Sequence, residues 1–521
     1  MDWVSAHHSE YAGDEVKAAG NTCDDWCMDE RSAFGRSKIV GSALSCSIVE
    51  DSTALESTDT GDDGDDAPED GKYSAGPRSS SDGATKCPSQ DWLGTAVPAE
   101  WAYIAEGGAN VIFRYAGSSE SLAGWVMRVR KRGVHGAHPK DIVDFAEQNI
   151  PSGSRDAYVQ VARAAKVALE FLVGLNALLE TAHRPTHRRD TPLDTTLMWV
   201  LLLPDVTSPE VASLCIELKP KNSILPSTPH VHPIKRSVCR FCMHQHLKQA
   251  QGKLSQSSQY CPLDLFSNDR GRIARALASL TATPQNNLRV FSAVATQGVL
   301  STDQVIQARR MDLLVEILHS HVGLLDDLKT MHAKDALDVE GMFALTQLHD
   351  VLVPPTAHAS TLTTSSGTDQ FAAKDSLPLR DVVATLSSDM QRQLDMHLPH
   401  AISTKLGCFR EDWTALSVGE FLNLYRALLD DFFVATTFKD CSVFLSLRPI
   451  STATSTPRHA PFPGAWPMPR HTISWEGETY ELVVAIVDLD IKSYKPVAAY
   501  FHLDHTIVEA YAVHVGHSSL Q

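Results

Sequence analysis

Long apolar runs are missing from this chain. The longest strongly apolar stretch, Leu197–Leu203, is far shorter than the roughly 20 residues a membrane-spanning helix needs. The first residues show no basic start followed by an apolar stretch, so a secreted protein is not expected. The ten cysteines are scattered without the spacing of a disulfide framework, which fits a reducing compartment. An intracellular protein of the nucleus or cytoplasm is expected. A strand-to-helix phosphate loop is missing too: Glu106-Gly107-Gly108-Ala109-Asn110 is not followed by Gly-Lys-Ser/Thr. Positive charge is scarce, with 46 Lys/Arg against 63 Asp/Glu and a net charge of −17. The deficit is uneven. Residues 1–90 hold 19 acids and 7 bases, a balance of −12, so the rest of the chain carries only −5. A local basic pocket can therefore exist in a mildly acidic body, because salt screens surface charge beyond about 8–10 Å.

What is present is enough for more than one core. At 521 residues and 43% hydrophobic content, two lobes of an α/β (α+β) protein are expected. Residues 1–92 read as a disordered acidic tail, since Glu50–Asp70 is nearly all Asp, Glu, Ser, Thr and Gly. Such a tail has too little apolar surface to join a core. Deleting residues 1–90 should leave the melting temperature and activity nearly unchanged; a large fall in melting temperature would show that the tail packs. Order is expected from near Trp101. A glycine turn precedes a strand at Val111–Ala116, and a second strand follows at Trp125–Val129. Apolar residues at helical spacing over 155–182 predict one core helix. Leu197–Leu203 reads as a buried strand, as does Glu481–Val487, which runs into Asp488-Leu489-Asp490. Helices are expected at Asp303–His319, Val322–Met331 and Val418–Thr436, and a flexible insert at 354–378.

Cations concentrate between Ile216 and Phe291. In Glu217-Leu218-Lys219-Pro220-Lys221 the proline imposes an extended backbone, and a period of two puts Lys219 and Lys221 on one side. Arg240 and Lys248 flank a short helical run, roughly on one face. Asn286 and Arg289 follow a helix that Pro284 ends. So many cations together imply a multiply charged anion between them.

Four blocks in this region also carry a resemblance: Glu-x-Lys-Pro-Lys at 217–221, Arg-Phe-Cys-Met-His-Gln at 240–245, Pro-Leu-Asp-Leu-Phe-Ser at 262–267, and Pro-Gln-Asn-Asn-Leu-Arg-Val-Phe at 284–291. In this order they resemble the inositol 1,3,4,5,6-pentakisphosphate 2-kinases, which make inositol hexakisphosphate. Leu337-Asp338-Val339-Glu340-Gly341 and Lys439-Asp440-Cys441-Ser442 match further blocks of that family. The resemblance covers residues 101–510, with gaps around 354–400. It implies a nucleotide-covering N-lobe at 93–212 and a C-lobe at 213–521 that binds the inositol phosphate. ATP and Mg²⁺ are then the cofactors. Gly107, Gly108, Asn110 and Arg128 would face the ATP phosphates, and Asp205 would lie at the hinge that meets adenine. Asp440 would be the catalytic base, and Asp488 with Asp490 would hold the metal. Arg188, Lys219, Lys221, Arg240, Lys248, Asn286, Arg289, Lys492 and Tyr500 would clamp the substrate phosphates. The family's arginine four residues after that lysine is Pro496 here, next to Lys495.

Two other classes stay open. A pseudokinase would bind inositol phosphate without transfer, but Asp440 and Asp488 are both retained. A zinc module for nucleic acid would use Cys239, Cys242, His244 and His246. That spacing argues against it, because tetrahedral coordination needs chain between pairs of ligands. The family's own zinc pattern, two histidines with Cys-x-x-Cys, is not carried over, since no cysteine follows His349 before Cys408. No nucleic-acid or membrane partner is expected, and a monomer is.

Overall fold

The structure is a computed structural model and describes Leu93, Tyr158 and residues 96–150, 162–208, 212–292, 310–320, 322–354, 376–407, 412–450 and 470–516. The tail at 1–92 and nearly all of the insert at 354–378 lie outside the described residues.

Two five-stranded antiparallel sheets organise the chain. The first contains β1 (Trp101–Glu106), β2 (Asn110–Tyr115), β3 (Trp125–Arg130), β4 (Arg163–Lys166) and β5 (Trp199–Pro204), in the order β1-β2-β3-β5-β4. Alternation along β2 turns Val111, Phe113 and Tyr115 inward. Helix α1 (Pro139–Asn149) precedes β4, and α2 (Leu169–Thr181) follows it. Phe171, Leu172, Leu175 and Leu179 of α2 close the core over Phe113, Met127, Val129 and Leu202. The single helix expected over 155–182 is corrected here. After helical Tyr158, its described part is the strand β4, then α2. A short apolar run fits either period, and the open edge of β5 supplied backbone partners at Ala164↔Leu201 and Ala165↔Val200.

The second sheet contains β6 (Leu214–Leu218), β7 (Leu288–Ser292), β8 (Ser442–Pro449), β9 (His471–Trp475) and β10 (Glu478–Val487), in the order β7-β6-β8-β10-β9. Antiparallel sheets with helices set apart make the fold α+β. Register fixes the geometry of the site. Leu218 pairs with both Leu288 and Val443, and Val487 pairs with Ser442. The chain leaving β6 and β10 and the chain entering β7 and β8 therefore meet at one end of the sheet.

The helices after β6 are α3 (Arg240–Ala250), α4 (Pro262–Leu265), α5 (Arg270–Ala282), α6 (Arg310–Ser320), α7 (Val322–His332), α8 (Asp338–Leu352), α9 (Leu379–Val383), α10 (Ser388–Leu406), α11 (Val418–Phe438) and α12 (Val497–His514). The expected helices near 303–319, 322–331 and 418–436 are present in their described parts. A reciprocal Ser417–Glu420 cap starts α11, and its far end delivers Asp440 to the mouth of β8. Met243 and Leu247 of α3 pack on Ile507 and Val508 of α12. Among the described residues no helix is long and apolar enough to cross a membrane.

Candidate active site

Asp440 and Asp488 flank neighbouring strands at the shared end of the second sheet. Asp440 is half exposed there, and its carboxylate is bracketed by Lys221 Nζ at 3.1 Å and Lys492 Nζ at 3.0 Å. Protein packed around it opposes ionisation, but Lys221, Lys492 and Lys219 outweigh that and hold the carboxyl far below the usual range. Asp488 accepts a hydrogen bond from Ser442 Oγ at 3.0 Å and lies 3.6 Å from Lys219 Nζ. Burial opposes its ionisation too, and Lys219 with Arg128 lowers its pKa. Ser442 Oγ also lies 3.1 Å from Glu217 Oε1, so one hydroxyl proton serves two carboxylates in turn. Glu217 is buried and lies 3.7 Å from Arg289 Nη1.

Two of these residues hold costly backbone. Lys221 has φ 60° and Asp488 has φ 63°, a region that side chains with a Cβ rarely occupy. The turn at Lys221 corrects the period-of-two reading: the strand has already ended at Leu218. Lys219 and Lys221 instead reach different carboxylates, Asp488 and Asp440. Buried Tyr260 steadies the turn by donating its hydroxyl to the Pro220 carbonyl at 2.7 Å. That bond ties the third sequence block to the first.

The first sheet reaches the same place through Arg128. Its guanidinium pairs with Asp490, lies 3.8 Å from Asp488 Oδ1, and donates to Asn110 at 3.0 and 2.8 Å with the amide oxygen turned towards it. Burial pushes the Arg128 pKa down, and Asp488 opposes that. The glycine turn is braced from below. Lys131 Nζ donates to the Gly107 carbonyl at 2.8 Å and pairs with Glu106, which also takes two bonds from Arg184 at 2.8 Å. A Cβ at Gly107 would meet nothing within 4 Å, so there is open space beside the turn. Gly108 lies between Gly107 and Asn110 in the same turn.

The rest of the cation cluster comes from α3 and the chain before β7. Lys248 is buried among like charges: burial, then Lys221 and Arg240, push its amine down to about 6. His244, one turn earlier, is held neutral by burial and by Lys248, Arg240, Lys221 and Lys253. Asn286 keeps a buried Oδ1 with no hydrogen-bond partner, and neighbouring Asn287 has neither amide atom bonded. Orphaned polar atoms beside a cation cluster suit a polar ligand that completes them. An unfolded lysine holds its proton to about 10.4. Between about 6 and that value the unfolded chain binds more protons, so through Lys248 stability rises with pH and the penalty is complete below about 6. Lys248→Met should therefore raise the melting temperature, by more at pH 6 than at pH 9. A variant that melts lower at both would show that the amine is not repelled.

Three further expected site residues are bonded to groups of the protein itself. Asp205 is buried, and its carboxylate is taken by Arg114 and by the Thr207 backbone and hydroxyl at 3.0 and 2.7 Å. It brackets a turn, leaving only backbone to meet a base. Arg188 is buried and donates from Nη1 to the Glu106 carbonyl at 2.9 Å, beside the glycine turn. Tyr500 donates its hydroxyl to the Lys492 carbonyl at 2.8 Å and so shapes the turn carrying that lysine. Lys495, next to Pro496, lies 5.9 Å from the Tyr494 ring.

The cysteines correct the spacing argument in one respect. Cys261 arrives from the Pro262 block, so Cys239, Cys242 and Cys261 place three sulfurs within 4.8 Å of one another. Chain between ligands is thus supplied, and three cysteine sulfurs are a donor set for a soft cation. The cluster lies at the start of α3 and α4 and braces those helices.

An arginine of the first sheet, a carboxylate pair and a lysine-bracketed aspartate thus converge with a cation cluster. The family model described as inositol-pentakisphosphate 2-kinase matches residues 103–506 of this chain. The chain belongs to the inositol-pentakisphosphate 2-kinase family. The relative named inositol-pentakisphosphate 2-kinase IPK1 from Oryza sativa subsp. indica is 26% identical over 471 residues, covering 79% of this chain and 93% of its own length. The Arabidopsis thaliana relative is 25% identical over 477 residues with the same coverage. The one from Danio rerio is 38% identical over 162 residues, 30% of this chain and 33% of its own. Asp440, Asp488, Asp490, Arg128, Lys219, Lys221, Arg289 and Lys492 come together at this end of the second sheet, with Arg240 and Lys248 on α3 and Asn286 just before β7. Glu217, Ser442, His244, Lys253 and Tyr260 are the contributors that motif reading left unassigned.

Proposed function

We propose that this kinase transfers the γ-phosphoryl group of ATP to the free 2-hydroxyl of inositol 1,3,4,5,6-pentakisphosphate, giving inositol hexakisphosphate. The observation that carries the proposal is Asp440 held between Lys221 and Lys492 at 3.1 and 3.0 Å. These lysines are neutralised by the Asp440 carboxylate itself. Substrate phosphates compete for the same ammonium groups and turn them outward from Asp440. The carboxylate then regains basicity at the place where a hydroxyl must be oriented, and it takes the hydroxyl proton as the new O–P bond forms. Lys219, Arg240, Lys248 and Arg289 hold the remaining phosphates, and positioning does most of the work in such a transfer.

Asp488 and Asp490 offer hard carboxylate oxygens beside Arg128, a donor set that suits Mg²⁺. When bound, Mg²⁺ supplies charge neutralisation on the nucleotide phosphates. Ser442 orients Asp488 for that task, and Arg128 swings its positive charge between the carboxylates and the phosphates. Purified protein with ATP, Mg²⁺ and inositol pentakisphosphate should release ADP in step with a product carrying one more phosphate. Binding of both ligands without ADP release would identify a pseudokinase instead.

A further inference from the structure

The Leu337–Gly341 block takes part in an ionic chain that reaches the site through Arg240. Lys235 Nζ lies 2.9 Å from Asp338, 2.8 Å from Glu340 and 2.6 Å from Asp504. The other oxygen of Asp504 accepts from Arg240 Nε at 2.7 Å. Asp504 is only 4% exposed, on the face of α12 that packs against α3. The three carboxylates also lie close enough together to suggest a metal, but the Lys235 ammonium already occupies the place between them.

We infer that Asp504 is a positioning residue for substrate recognition, aiming the Arg240 guanidinium at a phosphate while Lys235, Asp338 and Glu340 lock Asp504 in place. The inference rests on the reading of Arg240 as a phosphate ligand. A guanidinium binds phosphate through a planar fork, so its plane must be set before the ligand arrives. The bond at Nε restrains that plane and leaves the opposite edge of the fork for a ligand. Arg240 is the first residue of α3, so its stem is also anchored by a helix start whose Cys239 cap is buried. Asp338 contributes from a backbone at φ 56°, another costly conformation kept where the chain needs a carboxylate aimed. Burial opposes the charge on Asp504, and Arg240 and Lys235 overcome it, so the carboxylate is ionised and its bond to Arg240 is charge-assisted.

The test compares Asp504→Asn, Arg240→Ala, the double variant and Glu340→Gln, measuring kcat, KM for each substrate and melting temperature. Asp504→Asn should raise KM for inositol pentakisphosphate about 10-fold and leave KM for ATP within about 2-fold. The double variant should be no worse than Arg240→Ala alone, because a residue that acts through another adds nothing once that other is gone. Glu340→Gln, which reaches Arg240 only through Lys235 and Asp504, should raise KM for inositol pentakisphosphate by less than Asp504→Asn does. Asp504→Glu keeps the charge for Lys235 but shifts the carboxylate, so it should raise KM even where Asp504→Asn folds poorly. A wild-type KM in both Asp504 variants, or additive losses in the double variant, overturns the inference while leaving the kinase reading intact. A wild-type KM in Arg240→Ala overturns the inference together with the assignment of Arg240.

Discussion

Asp440→Asn is expected to lower kcat by about 10²–10⁴, the range a positioned general base supplies, while both substrates still bind. Asparagine fills the same space but cannot take a proton. It also removes the anion that Lys221 and Lys492 share. Those lysines then face an amide, so KM for the inositol substrate should stay level or fall as kcat collapses. That opposite movement separates a catalytic group from a structural turn residue. A variant with near-wild-type kcat would leave Asp440 as no more than the link between α11 and β8.

Arg289→Ala is the second large effect. A charge-assisted hydrogen bond contributes about 1.5–3 kcal/mol, so KM for inositol pentakisphosphate should rise roughly 10–100-fold. The loss has a second source. Arg289 lies 3.7 Å from buried Glu217, whose carboxylate shares the Ser442 hydroxyl with Asp488. Without Arg289 the charge on Glu217 bears more strongly on Ser442, so some fall in kcat should accompany the rise in KM. KM for ATP should change little. The opposite pattern, weakened ATP and an unaffected inositol substrate, would move Arg289 to the nucleotide side.

Much of the site was legible because it lies in short blocks at strand ends. Lys219, Asp440 and Asp488 each follow or precede an apolar strand by one or two residues, and register at Leu218, Ser442 and Val487 brings them together. Asp205 and Tyr500 were placed by motif alone, and motif does not reveal what a carboxylate or hydroxyl is already bonded to. Arg114 and Thr207 claim the first, and the Lys492 carbonyl claims the second. Asp504 and Cys261 were out of reach for another reason. Their partners lie 264 and 22 residues away, so only the packing of α12 on α3 and the entry of α4 reveal them. The strand β4 was hidden by ambiguity of period, which an edge hydrogen-bond partner resolved.

The central claim is transfer to one particular hydroxyl, and an isomer-resolved assay tests it most directly. The purified protein is given ATP, Mg²⁺ and, in separate reactions, inositol pentakisphosphates lacking the phosphate at different ring positions. Phosphorus NMR then locates the new phosphate. A clamp of fixed cations rejects a ring that presents its gap at the wrong place, because contacts are lost and cations are left unpaired. Rapid conversion of the isomer with a free 2-hydroxyl, and slow or no conversion of the others, is the result predicted. Equal turnover of all isomers, or a new phosphate at another position, would contradict the account.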